Sequence, residues 1–195
     1  MRSLALELRR RPLRLAVREA RSLHRVCSLL RELGLSDFVE LGVEGVEVPL
    51  RILSSRHPKA AFACWLASRL TGSTSLTLGV DLGERNIGVA AVVEGVVAYT
   101  GVLRSVAEVR SLVADLRELG FPLRVRLGYA GQNPPDAKRL AAELRREGVQ
   151  VELVDEARVS VLLGDFSFMG KLSPHELAAL KIALSPAAPA NDTVK

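Results

Sequence analysis

The sequence predicts an α/β protein: a mixed five-stranded sheet in the succession β-β-β-α-β-α-β-α with helices on both faces, preceded by an N-terminal α+β extension. Three observations predict it. From Leu76 onwards, runs rich in β-branched and apolar residues alternate with amphipathic runs, and Gly or Pro bounds most of them. The first three strands follow one another with no helix between them, so they are linked as hairpins. Neither Gly-x-Gly-x-x-Gly nor a phosphate-loop Lys is present, which disfavours a dinucleotide-binding domain and a P-loop NTPase.

Residues 1 to about 33 read as one basic helical segment, with Pro12 suited to a helix start and Gly34 to its end. Leu13, Ala16, Ala20, Leu23, Cys27 and Leu30 recur at three- and four-residue spacing, which would place them on one face. Arg14, Arg18, Arg21 and Arg25 would then share another face. Residues 35–57 read as β elements at Phe38–Leu41 and Val43–Leu53, and Pro58 and Lys59 open a helix over Ala60–Leu70 with the single Trp65. The Thr-Gly-Ser-Thr-Ser run from Thr71 breaks that helix. A boundary is expected there: 1–73 as a basic accessory region, 74–186 as the main domain and 187–195 as a disordered tail.

Within the main domain, strands are expected at Leu76–Val80, Ile87–Val93 and Val96–Val102, followed by a helix at Val106–Leu119. A strand at Leu123–Leu127, a helix at about Asp136–Glu147 and a strand at Val149–Val154 come next. An irregular stretch from Gly164 to Lys171 leads to a last helix at Pro174–Leu184. Ser173-Pro174-His175-Glu176 is its start signal: a Ser cap, Pro at the first position and an acid in the first turn.

At 195 residues, 48% hydrophobic and 25% charged, the chain has the composition of an ordinary globular protein with one sizeable core. No apolar run reaches membrane-span length, and the Arg-rich N-terminus lacks the apolar stretch of a signal peptide. A cytoplasmic protein with no membrane partner is therefore expected. Cys27 and Cys64 lie far apart, and His24, His57 and His175 are scattered, which disfavours a zinc site. The scarcity of Asn, Gln, Cys and Met fits a thermophile. Only five of the 27 basic residues are lysines. Residues 1–33 hold nine arginines against three glutamates, a balance of +6 within a net charge of +5, so the remaining 162 residues sum to −1. A positive segment of this kind fits contact with nucleic-acid phosphates, as it fits a solvated helix face.

The chemistry is read from three acidic positions. Asp81 ends the first strand in the turn Asp-Leu-Gly-Glu-Arg-Asn, Asp155-Glu156 ends the fifth strand, and His175-Glu176 begins the last helix. Taken singly, each acid suits a turn or a cap. Converging, they would suit Mg²⁺, a hard cation that takes a few carboxylates together with water and phosphate oxygens.

The block Gly79-Val-Asp-Leu-Gly-Glu-Arg-Asn-Ile-Gly-Val-Ala resembles the first-strand motif of the RNase H-like superfamily, in particular the RuvC/YqgF group of Holliday-junction resolvase-like proteins. Leu127-Gly-Tyr-Ala-Gly131 resembles that group's Gly-rich segment, Val154-Asp-Glu-Ala-Arg-Val-Ser160 its Asp-Glu-Arg motif, and His175-Glu-Leu-Ala-Ala-Leu180 its final-helix motif. The resemblance covers about residues 75–186. It implies a Mg²⁺- or Mn²⁺-dependent endonuclease acting on structured DNA or RNA, with Asp81, Glu156 and an acid of the last helix as metal ligands. Asp155 or Glu176 would complete the shell, and His175 would shuttle a proton. Arg14, Arg18, Arg21, Arg25, Arg85, Arg158 and Lys171 are the expected nucleic-acid contacts, and two symmetric cuts would call for a homodimer. The chain departs from the group's pattern twice: Ala178 stands where an Asp is usual, and Ala157 separates Glu156 from Arg158. These departures favour a second reading, a nucleic-acid-binding protein that keeps the fold with weak or no catalysis. A third, an actin-like phosphotransferase, shares Asp-x-Gly in its first hairpin but would need a second copy of the domain.

Overall fold

The computed structural model of the chain describes residues 2–129, 134–159 and 171–185, without the side chains of Pro134, Ala157 and Arg158. The tail expected to be disordered, and nearly all of the irregular stretch before the last helix, lie outside the described residues. Among the described residues no helix is long and apolar enough to cross a membrane.

The elements are β1 (Arg2–Ser3), α1 (Leu4–Arg10), β2 (Leu13–Ala16), α2 (Ala20–Glu32), β3 (Val39–Gly42), β4 (Val46–Glu47), α3 (Leu50–Leu53), α4 (Pro58–Thr71), β5 (Leu76–Leu82), β6 (Ile87–Val93), β7 (Val96–Leu103), α5 (Val106–Glu118), β8 (Leu123–Tyr129), α6 (Pro134–Arg146), β9 (Gln150–Asp155), α7 (Glu156–Val159) and α8 (Pro174–Leu184). From β5 onwards this is the expected β-β-β-α-β-α-β-α succession, with α7 as a short addition after the last strand. Six strands form one sheet in the order β1-β7-β6-β5-β8-β9, so the five expected strands are joined by the two-residue β1, parallel to β7. This is the expected mixed α/β sheet with flanking helices. Every residue of β6 is buried, as a central strand covered on both faces requires. β6 turns into β7 through Glu94 (φ 46°) and Gly95 (φ 74°), left-handed at both positions as a two-residue hairpin turn demands.

The chain divides into two compact units: Met1–Leu76 with Ala91–Tyr99 and Val109–Pro122, and Thr77–Ala90 with Thr100–Glu108 and Leu123–Lys195.

In the first unit the expectation of a single helix over residues 1–33 is overturned. Leu13–Ala16 forms the middle strand of a separate parallel sheet, β3-β2-β4, with Leu13 facing Val39 and Leu15 facing both Leu41 and Val46. The four residues fall in phase with the apolar positions of the following helix, which is why the pattern reads as continuous. Arg14 is therefore a strand residue, and its guanidinium pairs with Glu40 at 2.9 Å, directly across the ladder. The buried positions of α2 are Ser22, Val26, Leu29 and Leu30, while Leu23 is exposed. The expected strand Val43–Leu53 keeps only Val46–Glu47, and its second half turns into α3.

α4 forms as expected, with Pro58 in its first turn and Gly72 at its left-handed end, where the Gly72 N–H donates to Ser68 O at 2.9 Å. Nine consecutive residues, Ala60–Ser68, are buried, because α4 packs against α1, α2 and α3. Asp115 of α5 binds the α3–α4 junction. Its carboxylate accepts from Ser55 Oγ (2.9 Å), the His57 backbone N–H (2.9 Å) and Arg56 Nε (3.1 Å). Burial pushes this carboxyl up, but the Ser55, His57 and Arg56 donors outweigh burial and hold it below the usual range. A carboxylate with a lowered folded-state pKa contributes stability that is complete above the unfolded value and lost as pH falls through the folded one. Asp115→Asn is accordingly expected to cost about 1–3 kcal/mol at neutral pH. Below about pH 4 the wild-type protein should approach the variant in stability. Urea titrations at several pH values check this; parallel pH profiles would refute it.

Candidate metal centre

The second unit brings Asp81, Asp155, Glu156 and His175 together. Asp81 is the penultimate residue of β5, its side chain 13% exposed, and after Leu82 the residues Gly83 to Asn86 turn the chain into β6. His175 lies in the first turn of α8, and its Nδ1 is 2.8 Å from Asp81 Oδ2. Asp155 ends β9 and Glu156 opens α7 at the same corner. Burial raises the Glu156 carboxyl above the usual range, and the neighbouring charges of Asp81 and Asp155 raise it further.

Close approach explains how α8 reaches the strand end. A Cβ at Gly79 would strike the Ala179 carbonyl and the backbone and side chain of Ala183, and one at Gly88 would strike the His175 carbonyl. Two strand glycines thus let the helix lie directly on β5 and β6. At Gly128 of β8, a Cβ would meet Glu156 Oε1 and the Ile182 side chain, so the Glu156 carboxylate also rests over a glycine.

The far end of α8 is held by Arg126, a residue the sequence reading passed over. Arg126 is 7% exposed, and its Nη1 donates to Ala183 O at 2.9 Å and to Ser185 O, carbonyls at the C-terminal end of the helix. A guanidinium there satisfies carbonyls that have no partner within the helix and complements the helix dipole. Its Nε donates to Glu152 Oε2 at 2.8 Å, and Glu152 faces Arg126 in the parallel β8–β9 register. The signal was legible: Leu-Arg-Val-Arg-Leu on one strand against a lone Glu on the next.

Glu176 is placed differently from a metal ligand. Its Oε2 accepts from the Ser173 backbone N–H (3.0 Å) and Ser173 Oγ (2.7 Å), while Ser173 Oγ accepts from the Glu176 N–H (3.3 Å). This is a complete capping box. Among the described residues no three of His, Cys, Asp and Glu are set closely enough to form a metal cage. Of the expected nucleic-acid contacts, Arg85 is exposed in the β5–β6 turn and Lys171 is exposed before α8. Arg18, Arg21 and Arg25 are exposed in the first unit, and the Arg158 side chain lies outside the described residues.

Carboxylate oxygens are the donor type that a hard divalent cation takes. Two carboxylates, Asp81 and Glu156, repel one another across a half-buried corner, and magnesium is commonly held by one or two carboxylates with water and phosphate oxygens completing its shell. The uncompensated repulsion makes a stability prediction. A carboxyl whose folded-state pKa is raised carries a penalty that is full at neutral pH and vanishes as pH falls to the unfolded value near 4.3. Glu156→Gln should therefore raise the stability of the metal-free protein. Thermal melts in EDTA measure this, and a lower Tm in the variant would contradict the repulsion.

Neither a family model nor a curated protein matches the sequence. Among solved structures, the chain is similar to Thermus thermophilus RuvC in complex with a Holliday-junction substrate. The likeness has a TM-score of 0.43 and 16% identity, covering 56% of this chain and 90% of that one. It is also similar to a Bacteroides thetaiotaomicron protein with an actin-like ATPase fold and unknown function, with a TM-score of 0.34 and 10% identity, covering 65% of this chain and 44% of that one.

Proposed function

We propose that the chain is a metal-dependent nuclease of the RuvC/YqgF type, hydrolysing phosphodiester bonds in structured or branched nucleic acid. The observation that carries this reading is the acidic corner itself: Asp81, Asp155 and Glu156 held close enough to repel, with the His175 imidazole bonded to the first of them. Mutual repulsion of carboxylates costs the fold stability, whereas a divalent cation would be drawn to them and, once bound, would offer positive charge to a phosphate.

Asp81 and Glu156 would hold Mg²⁺ or Mn²⁺, with Asp155 beside them and Glu176 kept in its cap. The bound ion would supply Lewis acidity toward a phosphodiester oxygen. His175 has a separate task. With Nδ1–H donated to Asp81, its Nε2 is the basic nitrogen, and a side chain 37% exposed is open to water. It would accept the proton of the attacking water, and the Asp81 carboxylate would orient the ring. Arg85 and Lys171, at the turn after Asp81 and before α8, would add positive charge for the phosphate backbone. Two symmetric cuts would require two copies of the site and hence a homodimer.

The test is cleavage of an end-labelled four-way DNA junction, with duplex DNA and structured RNA as comparisons, in Mg²⁺, Mn²⁺ or EDTA. Cleavage in either metal and none in EDTA is expected; no cleavage of any substrate in both metals would sink the reading. One feature favours the second reading, a binding protein without catalysis: α8 offers no free carboxylate, since Glu176 is capped and position 178 is Ala. That reading expects salt-sensitive binding with no products under any divalent ion.

A further inference from the structure

We propose that the outward face of α2 binds the sugar-phosphate backbone of nucleic acid without reading its sequence. The proposal concerns the first unit, goes beyond the nuclease reading and does not depend on the acidic corner. With Ser22, Val26, Leu29 and Leu30 buried, the helical repeat of 100° per residue turns Arg21, His24, Arg25 and Arg31 outward, and all four are exposed. Arg18 is exposed just before the helix, ahead of its N-cap Glu19.

Two acids flank this face. Glu19, beside Arg18, accepts from Ser22 Oγ at 2.8 Å and keeps its charge. Glu32 is paired with Lys59 at 2.7 Å and accepts from Ser28 Oγ at 3.0 Å. Among the described residues no hydrogen bond or ion pair engages the side chain of Arg18, Arg21, Arg25 or Arg31, whereas Arg14 is neutralised by Glu40. From Arg21 to Arg31 the helix rises about 15 Å, which matches the rise of four or five nucleotides along one strand of a duplex.

The chemistry of the face selects its partner. Planar guanidinium forks suit phosphate oxygens, and no lysine lies on α2. An interfacial helix on a membrane needs a free apolar face, but that of α2 is buried, and Leu23 alone is 39% exposed. No Asn, Gln, Phe, Tyr or Trp lies on α2, so base-edge contacts would fall to the arginines alone, and the match of their spread to the rise of a strand assigns those arginines to the backbone.

The experiment is fluorescence anisotropy of a labelled duplex with the full chain, in EDTA so that no cleavage intervenes, over a series of salt concentrations. Arg21→Ala with Arg25→Ala should weaken binding about tenfold or more at low salt and flatten the plot of log K against log salt by about two. Arg139→Ala with Arg146→Ala on α6 removes the same charge and should leave the slope unchanged. Equal slopes for the two double variants would overturn the proposal. So would equal competition by poly-glutamate, or preferential binding to phosphatidylserine-containing vesicles. Because Asp81→Asn leaves this face untouched, loss of cleavage with binding retained would separate failure of the nuclease reading from failure of this one.

Discussion

Asp81→Asn is expected to lower metal-dependent cleavage by on the order of a thousandfold or more, the loss that follows when several kcal/mol of metal-assisted stabilisation is removed. The same change should leave the fold standing. An Asn oxygen can still accept the proton that His175 Nδ1 presents at 2.8 Å, and removing one charge eases the repulsion that raises the Glu156 carboxyl. The expected signature is thus a split: activity falls while the Tm of the metal-free protein holds or rises. Single-turnover cleavage beside thermal melts in EDTA reads both quantities. Undiminished cleavage in Asp81→Asn would remove Asp81 from the mechanism.

The second large effect is expected at the strand glycines. Gly79→Ala sets a methyl group against the Ala179 carbonyl and Ala183, and Gly88→Ala sets one against the His175 carbonyl. Backbone atoms cannot swing aside as a side-chain tip can, so α8 must lift from the strands. Overpacking of this kind costs roughly 1–3 kcal/mol, sometimes more. For a chain of this length that corresponds to a fall of about 2–12 °C in Tm. Gly42→Ala is the control, since its methyl group would meet only Glu44 backbone atoms at 3.7 and 3.9 Å, ordinary contact. Gly88→Ala should also impair activity beyond its effect on Tm, because the displaced residue is His175 itself. A Gly79→Ala protein that melts with the wild type would show that α8 is not seated as described.

Much of the second unit was legible in the sequence because its signals are local. Ser173, Pro174 and Glu176 specify a helix start within four residues, and the structure forms the complete capping box they imply. The same locality explains what was misread. Leu13–Ala16 becomes a strand through partners at Val39–Gly42 and Val46–Glu47, more than twenty residues away, and no periodicity within 1–33 contains that information. Arg14 reads as a helix residue for the same reason. Of the candidate site residues, Asp81, Asp155, Glu156 and His175 are brought together. The choice between cap and ligand for Glu176 rested on where a carboxylate points, which spacing does not determine. Arg126 was missed because it lies within a strand otherwise read for its apolar residues, and its role appears only once the end of α8 is laid against it.

The pairing of Asp81 with His175 spans 94 residues of sequence, and Arg126 reaches Ser185 across 59. Closing loops of that length is entropically slow, and contacts of this range form late relative to hairpins and helices. During synthesis, β5 and β6 leave the ribosome with their glycine-lined surface bare and Asp81 without its imidazole. Both wait until α8 has been made. The acidic corner is therefore the last part of its unit to mature, and a nascent chain halted before Ser173 would carry the strands of the site without the site.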